Sequence, residues 1–326
     1  MKKIIIKKIK SNFLFIFLKS VRTSLHTINY VKKNRSNFLY LFNFFIIRSI
    51  FGLQFFRNKI GYRKTQDVIE SNNFKCPIKK NMILESLVER GFSDTFNLKD
   101  TLKENLLFEI MQNLINSRII FKDKSVEKKE VIFESKNDID KYLTKNNVHM
   151  IKSFIDINKT NLLNKIFTDA FFTKLAKDYL NSDKLTLNHQ FFISAANNQL
   201  VDNFNKDELL SLSAQAYHFD VDFKKFFKIF VYFSDVLEEA NGSHIYVPKT
   251  HSQKKTDHMI TSRFQNSDIE KNYDPKNVFL GEAGTAFVVD TFGIHKGSPV
   301  TKGTRLALIL EYGRGHFPIS PDYKYI

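Results

Sequence analysis

From Leu185 to Tyr312 the apolar residues gather in short strand-like runs, and this narrows the possible folds more than any other feature of the chain. Side chains two apart share one face of a strand, whereas a helix repeats near 3.6. Strand-like runs fall at 185–194, 210–218, 226–236, 243–248, 278–282, 284–290 and 304–312, with turn chemistry such as Asn241-Gly242 and Gly293 between some of them. Strands in series, without helices between them, predict a mainly β sandwich or jelly roll and not a parallel α/β sheet.

Upstream the period is helical. Residues 81–90 and 98–118 carry apolar side chains at helical spacing, the second with Leu102, Leu106, Leu107, Ile110, Met111 and Leu114. A further helix is expected over 136–153. Another is expected over 162–180, capped by Asn158-Lys159-Thr160-Asn161, with Leu163, Ile166, Phe167, Phe171, Leu175 and Tyr179 as its buried stripe. These stripes read as core, so an α-helical region is expected to precede the β region. The polar stretch 252–277 reads as a surface loop or lid.

Charge divides the chain differently. Of its 50 Lys and Arg, fifteen fall in residues 1–64, which hold no acid; that leaves 35 against all 34 Asp and Glu. The expected organisation is a basic, aromatic-rich region over 1–64 and a single catalytic domain over 65–326, with helices at about 78–182 and the jelly-roll core at about 184–314. Within 1–64 the run from Phe38 to Phe56 is broken by Asn43, Arg48 and Gln54, which argues against a spanning helix. An amphipathic segment on an anionic membrane surface, or Phe and Leu packed on the domain, both fit. No nucleic-acid motif accompanies the basic residues, so nucleic acid is not an expected partner. The single cysteine, Cys76, excludes an internal disulfide and fits a reducing, cytoplasmic setting. The sequence leaves the oligomeric state open.

The candidate chemistry lies in His218-Phe219-Asp220, His295 and Arg305. Two imidazoles and one carboxylate on a single face are the usual holders of non-haem Fe(II), leaving positions open for substrate and O2. His218 and Asp220 are two apart and so share a face. His295 follows the apolar run Thr285–Asp290. Arg305 opens the run Leu306–Tyr312, where a buried guanidinium needs an acidic partner; the carboxylate of a cosubstrate would serve. Lys228, inside Phe226–Phe230, either snorkels outward or meets an anion within the barrel. His251, His244 and Asp222 are ambiguous, and Tyr217 reads as packing. His26, His149, His189, His258 and His316 have no supporting context.

The text around these residues resembles the phytanoyl-CoA dioxygenase family of Fe(II)- and 2-oxoglutarate-dependent oxygenases. The matching segments are Gln215–Asp220, Lys228–Val236, Ala240–His244, Val247–His251 and Gly284–Gly297, with a fainter echo in Gly91–Asp94. Lys249 stands where the family usually has Gly, and Gly297 where a hydroxyl often assists the Arg.

The resemblance implies a double-stranded β-helix (a cupin-like jelly roll) with helices packed outside. It implies His218, Asp220 and His295 as iron ligands and Arg305 as partner of the far carboxylate of 2-oxoglutarate. Ser298, Lys228 and Gln215 are further candidates for the cosubstrate site. The implied reaction consumes O2 and 2-oxoglutarate and hydroxylates a small-molecule substrate with release of succinate and CO2. Asp220 weighs against halogenation, because halogenases of this kind lack the acidic ligand. Two alternatives remain: a non-catalytic jelly-roll binding module with a vestigial metal site and a membrane-docking basic arm, and a cupin-like hydrolase or isomerase, which leaves Arg305 unexplained.

Overall fold

Val, Ile, Phe and Tyr fill the long runs of the carboxy-terminal half, and these residues suit pleated surfaces buried on both sides. In the computed structural model, which describes residues 54–65, 69–71, 73–75, 78–168, 170–197, 206–255, 258, 263–273, 276–314 and 324–325, those runs pair as antiparallel sheets. The amino-terminal half supplies α1 (Gln54–Asn58), β1 (Glu70–Ser71), β2 (Ile78–Lys79), α2 (Lys80–Glu89), β3 (Phe96–Asn97), α3 (Asp100–Gln112), β4 (Leu114–Phe121), β5 (Val126–Lys128), α4 (Lys136–Lys145), β6 (Val148–Ile155), α5 (Asn161–Phe167) and α6 (Ala170–Leu180). Then follow β7 (Leu185–Ala195), α7 (Lys206–Leu212), β8 (Phe226–Tyr232), β9 (His244–Tyr246), α8 (Asn266–Asn272), β10 (Asn277–Phe279), β11 (Thr285–Val289), β12 (His295–Gly297), β13 (Thr304–Arg314) and β14 (Lys324–Tyr325).

The larger sheet runs β3-β11-β8-β13-β7-β6-β4-β5, with β14 also paired to β7; the smaller runs β10-β9-β12. This is the jelly-roll arrangement, with helices on the outer face of the larger sheet. The two faces of β13 divide the work. Leu306, Leu308, Leu310 and Tyr312 point to the helices and join a core with Leu84, Leu87, Ile110, Phe172, Leu175 and Tyr179. Arg305, Ala307, Ile309 and Glu311 point the other way, toward the smaller sheet. There Ala307 and Ile309 pack with Phe230, Tyr232, Tyr246, Phe279 and Phe287.

Several local expectations change. Residues 114–118 and 148–153, expected within helices, belong instead to the strands β4 and β6, which widen the larger sheet beyond 184–314. The helix expected over 162–180 is two helices, and its start is not capped by Thr160. Instead Glu109 of α3 accepts from the amides of Asn161, Leu162 and Leu163 at 2.8–2.9 Å. The run 210–218 is not a strand. Helix α7 ends in it, Gln215 N donates to Leu210 O at 2.7 Å, and Ala214 takes φ +58. Closing the helix uses the backbone groups a strand would need. Helices α7 and α8 therefore interrupt the strand series, and α8 lies inside the stretch read as loop.

Residues 1–53, which carry most of the basic region, lie outside the described residues. Residues 54–63 pack on the domain. Arg57 Nη2 donates to Asp290 Oδ1 and Oδ2 at 2.6 and 2.5 Å, both side chains being almost wholly buried. Tyr179 also donates to Asp290, and the Phe226 and Phe292 rings flank the guanidinium at 5.0 and 4.4 Å. Arg63 reaches Asp183, and Gln54 accepts from the amide of Lys254. No helix among the described residues is long and apolar enough to cross a membrane.

Removing one partner of a buried pair strands the other charge. Arg57→Ala should therefore cost roughly 3–5 kcal/mol of stability, measured by chemical denaturation. Lys249 sits at φ +65, in the left-handed region that disfavours side chains. Relief of that strain, set against the freedom glycine loses on folding, should make Lys249→Gly stabilising by about 0.5–1 kcal/mol, visible as a raised Tm. An unchanged or lowered Tm would contradict this.

Candidate metal centre

His218 and His295 are brought together by backbone. His218 N donates to His295 O at 2.9 Å, and His295 N returns a bond to His218 O at 2.8 Å, so residue 218 extends the smaller sheet beyond β12. Asp220 N donates to Thr291 O at 2.8 Å, which keeps 218–220 extended and puts both side chains on one face. Two Nε2 atoms and one carboxylate result: His218 Nε2 lies 3.7 Å from Asp220 Oδ1, and His295 Nε2 lies 3.6 Å from Oδ2. The three groups offer donor atoms all within 4.8 Å of one another, a spacing one ion can bridge.

Each imidazole is oriented from behind. His218 Nδ1 lies 2.8 Å from Ala216 O and His295 Nδ1 lies 2.9 Å from Gly293 O. A carbonyl can only accept, so Nδ1 carries the proton and Nε2 presents its lone pair to the centre. Burial, then the neighbouring His295, pushes His218 well below the ordinary imidazole value; burial likewise lowers His295. Neutral rings are the form that binds metal.

Asp220 is held ionised. Burial alone would raise its pKa, but Lys228 and then the two imidazoles outweigh burial and hold it well below the usual carboxylate range. Lys228 Nζ donates to Asp220 Oδ2 at 2.8 Å and to Asp222 Oδ2 at 2.9 Å, and lies 3.6 Å from Glu311 Oε1. These carboxylates overcome burial and raise the Lys228 pKa. Glu311 is pushed well above the carboxylate range by burial, with Lys228 opposing and Asp222 reinforcing. Asp222, read from sequence as ambiguous and more in keeping with a solvated acid, is part of this network.

The triad opens into a cavity of about 230 Å3 lined also by Lys152, Phe192, Phe230, His244, Arg263 and Arg305. Arg305 is buried on its wall. Nη1 donates to Gly242 O at 2.5 Å and Nη2 to Ser194 Oγ at 3.1 Å, while Nε has no partner. No carboxylate pairs with it among the described residues. Burial lowers its pKa without removing its charge. Gly297 is where a hydroxyl residue was missed in the sequence, and an ideal Cβ there would lie 2.9 Å from Arg305 Nη1. The absent side chain is what admits the guanidinium.

Of the remaining sequence candidates, Lys228 lines the cavity, bonded to Asp220. Ser298 does not line it; its hydroxyl lies 3.2 Å from that of Ser243. Gln215 is buried off the lining, its amide facing His149. His251 lies away from the cavity, Nε2 3.2 Å from Val88 O, and Tyr217 is core. His258 lies between Tyr273 and Asp268, while His26 and His316 fall outside the described residues. Sequence reasoning missed Lys152, Glu311 and Arg263, and left His244 undecided. Lys152 projects inward from β6, where a helix had been expected; burial, then Arg118 and Arg263, lowers its pKa to about 7.

No protein-family model matches the chain, and no curated protein does. Solved structures of similar outline include the non-haem α-ketoglutarate-dependent epimerase SnoN from nogalamycin biosynthesis, at 14% identity over 72% of this chain and 82% of that one, TM-score 0.45. AviO1 from Streptomyces viridochromogenes Tue57 matches at 12% over 74% and 98%, TM-score 0.44. HygX from Streptomyces hygroscopicus, solved with nickel and 2-oxoglutarate, matches at 15% over 71% and 85%, TM-score 0.43.

Lys228→Met should move the acid limb of divalent-metal binding to higher pH. A depressed carboxyl pKa keeps Asp220 available until the pH falls through that low value. Without the ammonium the pKa rises, and protons compete with the metal earlier. Metal titrations between pH 5 and 8, with wild type and variant side by side, would show the shift; coincident acid limbs would refute it.

Proposed function

We propose that this chain is an Fe(II)- and 2-oxoglutarate-dependent oxygenase of the phytanoyl-CoA dioxygenase type that hydroxylates a C–H bond of a small organic substrate. One observation carries the reading. Arg305, a buried cation without a carboxylate partner among the described residues, lines the cavity onto which His218, Asp220 and His295 converge. A buried charge of this kind costs free energy unless an anion completes it, and a dicarboxylate bound to the metal would do so.

The donor set fits the iron. Two neutral imidazoles and an ionised carboxylate would hold it from one side and leave room for cosubstrate and O2. Iron held there would activate O2 at the expense of 2-oxoglutarate, one oxygen atom passing to succinate as CO2 is released and the other to the substrate C–H bond. The protein's share is placement. Ala216 O and Gly293 O fix the two rings, Lys228 keeps Asp220 charged, and Arg305 sets the reach of the cosubstrate. Phe192, Phe230, Ala307 and Ile309 supply apolar wall that limits water beside the reacting atoms. Asp220 is an acidic ligand of the kind that related halogenases lack, which favours hydroxylation. The substrate itself is a small molecule not specified by these residues.

Anaerobic addition of Fe(II) and 2-oxoglutarate should give the visible metal-to-cosubstrate absorption, and a succinate-release screen over substrate pools should find turnover. His218→Ala should abolish both signals. Arg305→Ala should raise the 2-oxoglutarate KM roughly ten- to a hundred-fold, the worth of a lost charge-assisted pair, while Fe(II) affinity changes little. Full turnover in purified His218→Ala protein would overturn the assignment. A wild-type protein that binds no 2-oxoglutarate would favour the non-catalytic binding module.

A further inference from the structure

His244 is the third imidazole lining the cavity and the one the triad does not use. Its residue is 4% exposed, and its side chain lines the same cavity. The ring stacks on His295 with centroids 5.3 Å apart and planes at 20°. Phe230, Phe279 and Phe287 surround it at 4.5, 5.7 and 5.6 Å. An apolar side chain would suit such a cage at lower cost. The imidazole instead brings a buried polar atom, and its Nε2 has no hydrogen-bond partner. An unsatisfied buried group of this kind is destabilising.

Its place in the sheet indicates what would satisfy it. In the β9–β12 pair, His244 stands opposite Gly297 and Tyr246 opposite His295, so all four share the inner face. The space left by Gly297 holds the Arg305 guanidinium, and Arg305 Nη1 donates to Gly242 O, two residues before His244. The ring therefore lies between a metal ligand on one side and the Arg305 anchor on the other. A molecule joining metal to Arg305 passes along it.

We propose that His244 is a positioning residue that hydrogen-bonds, through its unpartnered ring nitrogen, to the acid spanning the metal and Arg305. The inference rests on the reading of that acid as 2-oxoglutarate. No bond is made or broken by His244. Its contribution is a third polar contact, which fixes the rotation of the acid about the axis between its two ends.

Redox-inactive Ni(II) in place of iron isolates binding from turnover, with 2-oxoglutarate as the titrant in calorimetry. His244→Leu should weaken 2-oxoglutarate binding about tenfold, the worth of one hydrogen bond to a charged group. Ni(II) affinity in the absence of 2-oxoglutarate should stay within about twofold of wild type, and thermal stability should hold or rise, because an unsatisfied group has been removed. His244→Asn, which fits the cage less well but keeps a donor, should bind 2-oxoglutarate more tightly than His244→Leu despite a lower Tm. A purely packing role gives the opposite order. Wild-type binding matched by His244→Leu, or His244→Asn weaker than His244→Leu, overturns the inference alone. A wild-type protein that does not bind 2-oxoglutarate overturns the functional reading and this inference with it.

Discussion

Two reciprocal backbone hydrogen bonds between His218 and His295 are the constraint on which the site depends. Residue 218 follows a helix and residue 295 follows a turn, and neither segment alone defines a metal centre. Pairing them places the two rings 4.3 Å apart by centroid and lets Asp220 close the triangle. The carbonyls of Ala216 and Gly293, each two residues before its histidine, then orient the rings without help from any distant side chain. Ligand geometry is thus written mainly into main-chain pairing, which is stiff, and the side chains need only correct length.

Charge is distributed around that frame with an asymmetry. On the Asp220 side, Lys228 is satisfied by carboxylates from two elements. On the Arg305 side the guanidinium meets a carbonyl and a hydroxyl, and no acid among the described residues. One end of the cavity is electrostatically complete and the other is short of an anion. Buried cations rarely persist without counter-charge unless a ligand supplies it, and this imbalance gives the cavity a direction.

Much of this was legible in the sequence, for reasons that can be stated. His218 and Asp220 share a face under any extended reading, and the flanking motifs kept His295 and Arg305 in register with them. The β8, β11 and β13 runs are long, apolar and rich in residues suited to strands. The same logic failed at 114–118 and 148–153, where the apolar residues fit either period and only pairing, of β4 with β6 and of β6 with β7, decides. Losing those strands hid Lys152, since a helix gives it no inward face. The alternation in 212–218 misled in the other direction, because seven residues can mimic a strand while their backbone closes a helix. His244 remained undecided because its meaning comes from neighbours distant in the chain: Phe230, His295 and the gap at Gly297. Arg57 was hidden for the same reason, its partner lying 233 residues away.

Arg57 has a bearing on how the chain can be divided. Composition places a boundary near residue 64, where the basic stretch gives way to mixed charge, but the folded domain reaches back across it. Asp290 accepts from Arg57 and begins the turn that leads through Gly293 to His295. A protein trimmed at the first acidic residue would lose the counter-ion of a carboxylate buried five residues from His295, a candidate metal ligand. The Arg57 contact thus makes residues 54–63 part of what braces the turn before His295.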